Sequence, residues 1–216
     1  MAKEKRGKIV VLDGLDGCGK GVQLEKLKQR LPEAVFTREP GGTDFGVCLR
    51  NILLDRSLQV SARTELMLFF ADRSDHWEKV VIPSIEKGQL VVSDRADAAS
   101  FAFQVAAGKP DKDLRDIFWN LRYEVYGDYA PDLYVLLDVS AEECQRRLAL
   151  AAEAQQREIT GFDARAFEFH LAVREGYLEF EKHLPDRFIR INGLRSVEDV
   201  HKELWSALAT RKLVPA

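Results

Sequence analysis

Long apolar runs are missing from this sequence: none of its 216 residues belong to a stretch near the roughly 18 apolar positions that span a bilayer. A membrane partner is therefore not expected. An excess of basic charge is missing too. Lys plus Arg is 32 against Asp plus Glu at 35, a formal net charge of -3. That argues against a bulk nucleic-acid surface while leaving room for a local basic cleft. Cysteine is scarce, with only Cys18, Cys48 and Cys144, far apart and without metal-ligand spacing. Reduced thiols in a cytoplasmic protein are the expectation. The start, Met1 to Lys8, is charged and has no apolar h-region of a secretory signal. Internal repeats and low-complexity linkers are also lacking. The length suits one α/β domain spanning 1–216.

What is present is an alternation of strand and helix patterns. The run Ile9-Val10-Val11-Leu12 is short, β-branched and followed by glycines, so it reads as a buried parallel strand. Val22, Leu24, Leu27 and Leu31 then have helical spacing up to Pro32. Short strands are expected at 34–36, 90–92, 133–137 and 188–191. Helices are expected at 44–54, 62–86, 98–106 and 114–126, from Ser140, around Phe167 and Tyr177, and at 196–209. Ser140-Ala141-Glu142-Glu143 reads as a capping-box start. The pattern predicts a doubly wound, five-stranded parallel sheet flanked by helices. The polar stretch 153–163 is expected to be a short lid insertion.

Gly14-Leu15-Asp16-Gly17-Cys18-Gly19-Lys20 matches G-x-x-x-x-G-K between the first strand and the first helix. Gly14, Gly17, Cys18, Gly19, Lys20, Gly21 and Val22 form the candidate phosphate loop. Its glycines let backbone N–H groups turn inward, the helix N-terminus adds partial positive charge, and Lys20 adds a full one. The residue after the lysine is normally Ser or Thr, which ligates Mg²⁺. Here Gly21 and Val22 offer no ligand. The metal would then rest on donor phosphates, water and a carboxylate elsewhere. Asp94 is the candidate, through water, because it ends a buried strand at the carboxyl edge where ligands bind. A helix cap is its alternative role.

With these motifs in place, the sequence resembles the thymidylate kinases, a family of P-loop nucleoside-monophosphate kinases. The resemblance rests on five ordered motifs from Lys8 to about Asp138. They are the phosphate loop, Arg38-Glu39-Pro40-Gly41-Gly42-Thr43, Leu68-Phe69-Phe70-Ala71-Asp72-Arg73, Asp94-Arg95, and Ser100 to Gln104. The stretch Val173 to Leu178 agrees as well. The resemblance implies phosphoryl transfer from ATP, with Mg²⁺, to dTMP or a 5-substituted dUMP, and a homodimer acting on small nucleotides. It implies that Arg38 and Arg95 bind the acceptor phosphate, that Arg73 reaches the base and that Phe69 stacks on it. Asp16 would meet the sugar and phosphate region, with Ser100, Phe103 and Gln104 around base and sugar. Guanidinium forks suit a dianion that must be held in line. Taken alone, Phe69 would read as core; Phe70 beside it is taken as core.

The donor-side arginine is expected on the lid, because the phosphate loop carries none. Arg157 is the single arginine of 153–163. It would stabilise charge on the transferring group, and its alternative is an exposed helix charge. The family's Asp-Arg-Ile-Glu lid pattern is missing. Ala96 stands where the family has Tyr or His, which suggests a roomier acceptor pocket unless Phe101 or Phe103 refills it. Two other readings stay open. One is a polyphosphate donor, since Gly-Lys-Gly also resembles family-two polyphosphate kinases. The other is a nucleotide-binding relative with little turnover.

Overall fold

The computed structural model describes residues 6–55, 57–108, 111–154 and 167–215. Five strands form one sheet: β1 Lys8–Asp13, β2 Val35–Arg38, β3 Leu90–Asp94, β4 Leu133–Asp138 and β5 Phe188–Asn192. Their order is β2-β3-β1-β4-β5, and every pairing is parallel. The central strands read as nearly unbroken apolar runs because helices cover both faces. Ile9 to Leu12 and Leu133 to Val135 have no exposed surface. The register sets Leu12 opposite Asp94, and Asp94 opposite Arg38. The segments leaving β1, β2 and β3 are thereby brought together at one carboxyl edge.

The helices are α1 Lys20–Arg30, α2 Asp44–Leu54, α3 Ala62–His76, α4 Ile82–Glu86, α5 Asp97–Ser100, α6 Leu114–Tyr126, α7 Ala141–Ala154, α8 Phe167–His183 and α9 Val197–Thr210. Two expectations need correction. The helix expected over 62–86 is interrupted by a π-helical segment, Trp77–Val81, between α3 and α4. Pro83 explains the interruption: it has no N–H and its ring crowds the preceding turn. The stretch expected as one helix over 98–106 is α5 followed by a second π segment, Phe101–Ala106. The strand expected at 34–36 runs from Val35 on to Arg38. At α7, Glu143 donates its N–H to the Ser140 hydroxyl at 3.4 Å. Its carboxylate turns to Arg146 and Arg147 instead of closing a capping box.

α8 packs on the second π segment, and Gly176 is the point of closest approach. A Cβ there would lie 2.7 Å from the Ala106 Cβ and 2.8 Å from the Ala102 Cα. Overpacking of this kind costs about 1–3 kcal/mol. Gly176→Ala is therefore expected to lower the unfolding free energy measured in urea by that amount, and with it the midpoint. An unchanged midpoint would show that α8 and the π segment can separate freely.

Candidate active site

The phosphate loop leaves the end of β1 with Gly14, Gly17 and Gly19 at φ of 142°, 85° and 102°. At Gly17 the space is closed as well, since a Cβ would lie 2.6 Å from the Cys144 carbonyl oxygen. The Lys20 ammonium donates to the carbonyls of Gly14 at 2.9 Å and Leu15 at 3.2 Å, and lies 3.8 Å from Cys18 Sγ. Cys18 is buried, so this position offers its backbone and not its thiol. Gly21, the second residue of α1, has nothing within 4 Å of a Cβ, and the Val22 side chain is half exposed. From outside, Arg147 on α7 donates to the carbonyls of Cys18 and Gly193, bracing the loop against the β5–α9 turn.

Across from the loop, Arg95 follows β3 in the left-handed region at φ 69°, unusual for a side chain of this size. Its N–H donates to the Leu12 carbonyl at 2.9 Å, which ties it to β1. Its guanidinium donates to Asp16 Oδ1 at 2.6 Å and to the Tyr177 hydroxyl at 2.9 Å. Tyr177 in turn donates to Asp13 Oδ1 at 3.1 Å. Burial pushes Asp16 up, and Arg95 and then Lys20 outweigh it, leaving the carboxyl at about 2. Asp13 is more deeply enclosed. Burial raises it from 3.8 to about 7 against the pull of Arg95 and Lys20.

Loop and arginine face each other across a cleft of about 420 Å³. Of the residues singled out in the sequence, Asp16, Gly17, Lys20 and Arg38 line it. So do Phe69, Arg73, Asp94 and Arg95, and so do Ser100, Phe103 and Gln104. Phe69 is half-buried while Phe70 is core. Arg73 is fully buried: Nε donates to Glu39 Oε2 at 2.8 Å and Nη2 to the Ser100 hydroxyl at 3.0 Å. Gln104 donates to Glu65 at 3.1 Å. Ala96 lines the cleft as well, beside Ala99, Ser100 and Phe103, with 1% of its own surface exposed. Arg157 and the lid stretch from 155 onward lie outside the described residues.

Asp94 Oδ1 is buried, lies at the cleft and has no hydrogen-bond partner. A buried carboxylate oxygen without a donor is costly, and a hydrated Mg²⁺ satisfies such an oxygen. The residues present therefore fit the metal. Among the described residues no group of three or more acidic, His or Cys side chains gathers to hold one alone.

Reading residues singly missed several participants. Arg50 on α2 lines the cleft and donates to the Pro40 carbonyl at 3.1 Å. Burial, then the like charge of Arg38, lowers its pKa. Its sequence signal was only its place in the helix after the arginine-bearing loop. Glu39 and Tyr177 stood inside recognised motifs, but their burial and bonds are tertiary facts.

A phosphate loop behind a central parallel strand, opposed by a second cationic cluster on the neighbouring strands, defines a P-loop nucleoside-monophosphate kinase. The family profile described as Thymidylate kinase matches residues 12–204. The thymidylate kinase of Nitrosospira multiformis is 38% identical over 209 residues, covering 95% of this chain and 98% of the relative. That of Caldanaerobacter subterraneus subsp. tengcongensis is 34% identical, covering 94% and 95%. The crystal structure of thymidylate kinase from Ehrlichia chaffeensis superposes with a TM-score of 0.72 at 25% identity, covering 94% of this chain and 99% of that one. The chain belongs to the thymidylate kinase family.

The raised Asp13 has a consequence for stability. Between its unfolded value of 3.8 and its folded value of about 7, the native state holds a proton that the unfolded chain has lost. Stability contributed by this group is thus present below the window and declines as pH rises through it. Asp72, raised by burial and Glu39 from 3.8 to about 6, adds the same sign. Denaturation midpoints measured from pH 4.5 to 7.5 should fall less steeply in Asp13→Asn than in the wild type. Equal slopes would show that Asp13 titrates normally.

Proposed function

We propose that this enzyme transfers the γ-phosphoryl group of ATP to dTMP, giving the diphosphate. One observation carries the reading: a single cleft joins the phosphate loop to a separate cluster of three guanidinium groups, Arg38, Arg50 and Arg95. Two anionic groups held face to face are what a phosphoryl transfer between nucleotides requires. Lys20 and the loop N–H groups hold the donor phosphates. Arg38, Arg50 and Arg95 hold the acceptor monophosphate as a dianion. Asp16, kept ionised by Arg95, orients that guanidinium and faces the sugar. The base lies on the ring of Phe69, with Arg73 and Gln104 at its edge beside Ser100 and Phe103. Asp94 would hold Mg²⁺ through water, where the ion would supply positive charge beside the donor phosphates. Catalysis here is chiefly positioning and charge stabilisation by groups already in place.

The same reading extends to the whole chain. Residues 1–216 form one kinase domain, with 153–163 as a lid whose Arg157 meets the transferring group. The exposed apolar side chains of α2 and α3, Phe45, Ile52 and Met67, support pairing with a second copy as a homodimer. Three free thiols support a reducing, cytoplasmic setting.

The test is an acceptor screen with ATP and Mg²⁺ over dTMP, dUMP, dCMP and dGMP, for the wild type and Lys20→Ala. The wild type should prefer dTMP. Lys20→Ala should lose about 2.7–4 kcal/mol of transition-state stabilisation, a hundredfold or greater fall in kcat. Turnover of Lys20→Ala near the wild-type rate would contradict the assignment of the loop.

A further inference from the structure

Behind the acceptor end of the cleft runs a buried relay that ends at the cleft residues Arg73 and Ser100. Thr37 on β2 meets His76 Nε2 at 2.7 Å, and His76 Nδ1 meets Glu39 Oε1 at 3.0 Å. Glu39 Oε2 then accepts from Arg73 Nε at 2.8 Å, and Arg73 Nη2 reaches Ser100. The side chains of His76, Glu39 and Arg73 are each at most 1% exposed. Arg73 Nη1 is buried without a partner and belongs to a residue lining the cleft. His76 itself does not line the cleft. We propose that His76 is a positioning residue that sets the base selectivity of the enzyme, by keeping Glu39 from closing onto the Nε/Nη2 edge of Arg73, which would displace Ser100 and tilt Nη1. The inference rests on the acceptor reading above.

A carboxylate beside a guanidinium prefers two parallel bonds, one from each oxygen. Here Glu39 gives Arg73 only one oxygen, because the other is occupied by His76. The ring cannot drift from this post. A Cβ on Gly42 would stand 2.5 Å from His76 Cδ2, so the loop backbone lies directly against the ring. Trp77 meets it edge-on at 5.5 Å between centroids. Ionised Glu39 only accepts, so Nδ1 carries the proton. Nε2 is then left to accept from the Thr37 hydroxyl. The Phe70 ring, 4.6 Å from the Arg73 guanidinium carbon, supports the guanidinium from one face. The plane is thus fixed by Glu39, Ser100 and Phe70. Nη1 is left to donate to a base carbonyl, and it has nothing to offer an amino group in the same place. Without His76, Glu39 Oε1 is free to turn onto Nη2, which takes that group from Ser100 and tilts Nη1, and that preference weakens.

His76→Leu removes the donor at similar volume, and His76→Asn restores an N–H at the Nδ1 position. Steady-state constants would be measured for dTMP, dCMP and ATP. In His76→Leu the KM for dTMP should rise about tenfold, as for losses in shells that orient a contact residue. The kcat/KM preference for dTMP over dCMP should shrink similarly, with the KM for ATP within about twofold of wild type; His76→Asn should recover most of the preference. Should His76→Leu fail to fold, Thr37→Val, which releases the far side of the ring, should shift the same ratio in the same direction. An unchanged dTMP-to-dCMP ratio, or equal rises in the KM for dTMP and ATP, would overturn the proposal. So would His76→Asn behaving like His76→Leu. A wild type without any preference for dTMP would instead overturn the acceptor reading itself.

Discussion

The ion pair between Arg95 and Asp16 is the contact on which the rest of this site depends. Arg95 leaves the end of β3 with left-handed backbone, and its N–H is fastened to Leu12 of β1. Its side chain then grips Asp16 of the phosphate loop and the Tyr177 hydroxyl of α8. Strand, loop and helix are thereby joined through one guanidinium. Its own pKa is raised, because the surrounding carboxylates and Tyr177 outweigh burial. It stays charged whatever the cleft holds. The unfavourable backbone conformation of about 1–3 kcal/mol persists only because these partners fix it from several sides.

The distribution of charge follows from that anchor. Two of the deep carboxylates are ion-paired, Glu39 with Arg73 and Asp97 with Arg122, which also meets Tyr134. Breaking such buried pairs leaves one uncompensated charge, which is far more destabilising than losing a surface pair. Cations nearer the cleft are less fully matched, and burial and then the like charge of Arg38 disfavour the charge on Arg50. A phosphate dianion relieves that repulsion. Affinity for it is thus built into the empty arrangement and requires little reorganisation.

Much of this was legible in the sequence. The phosphate loop was readable because glycines, lysine and a β-branched strand follow a fixed spacing. Asp94 and Arg95 were readable because they end an apolar strand, and all five strands were found by the same apolar logic. Other features are set by contacts that no local pattern encodes. Glu39 and His76 are charged or polar residues that propensity places at the surface, and their burial depends on a partner 34 or 37 residues away. The π segments depend on Pro83 and on packing by α8, and helical periodicity passes through them unchanged.

Calorimetric titration of dTMP, and separately of a non-hydrolysable ATP analogue, into the wild type and Arg95→Ala tests the central role of Arg95 most directly. Loss of a charge-assisted bond worth about 1.5–3 kcal/mol should weaken dTMP binding by about ten- to a hundredfold while the analogue binds nearly as before. Unchanged dTMP affinity, or an equal loss for both ligands, would contradict the placement of the acceptor phosphate on Arg95.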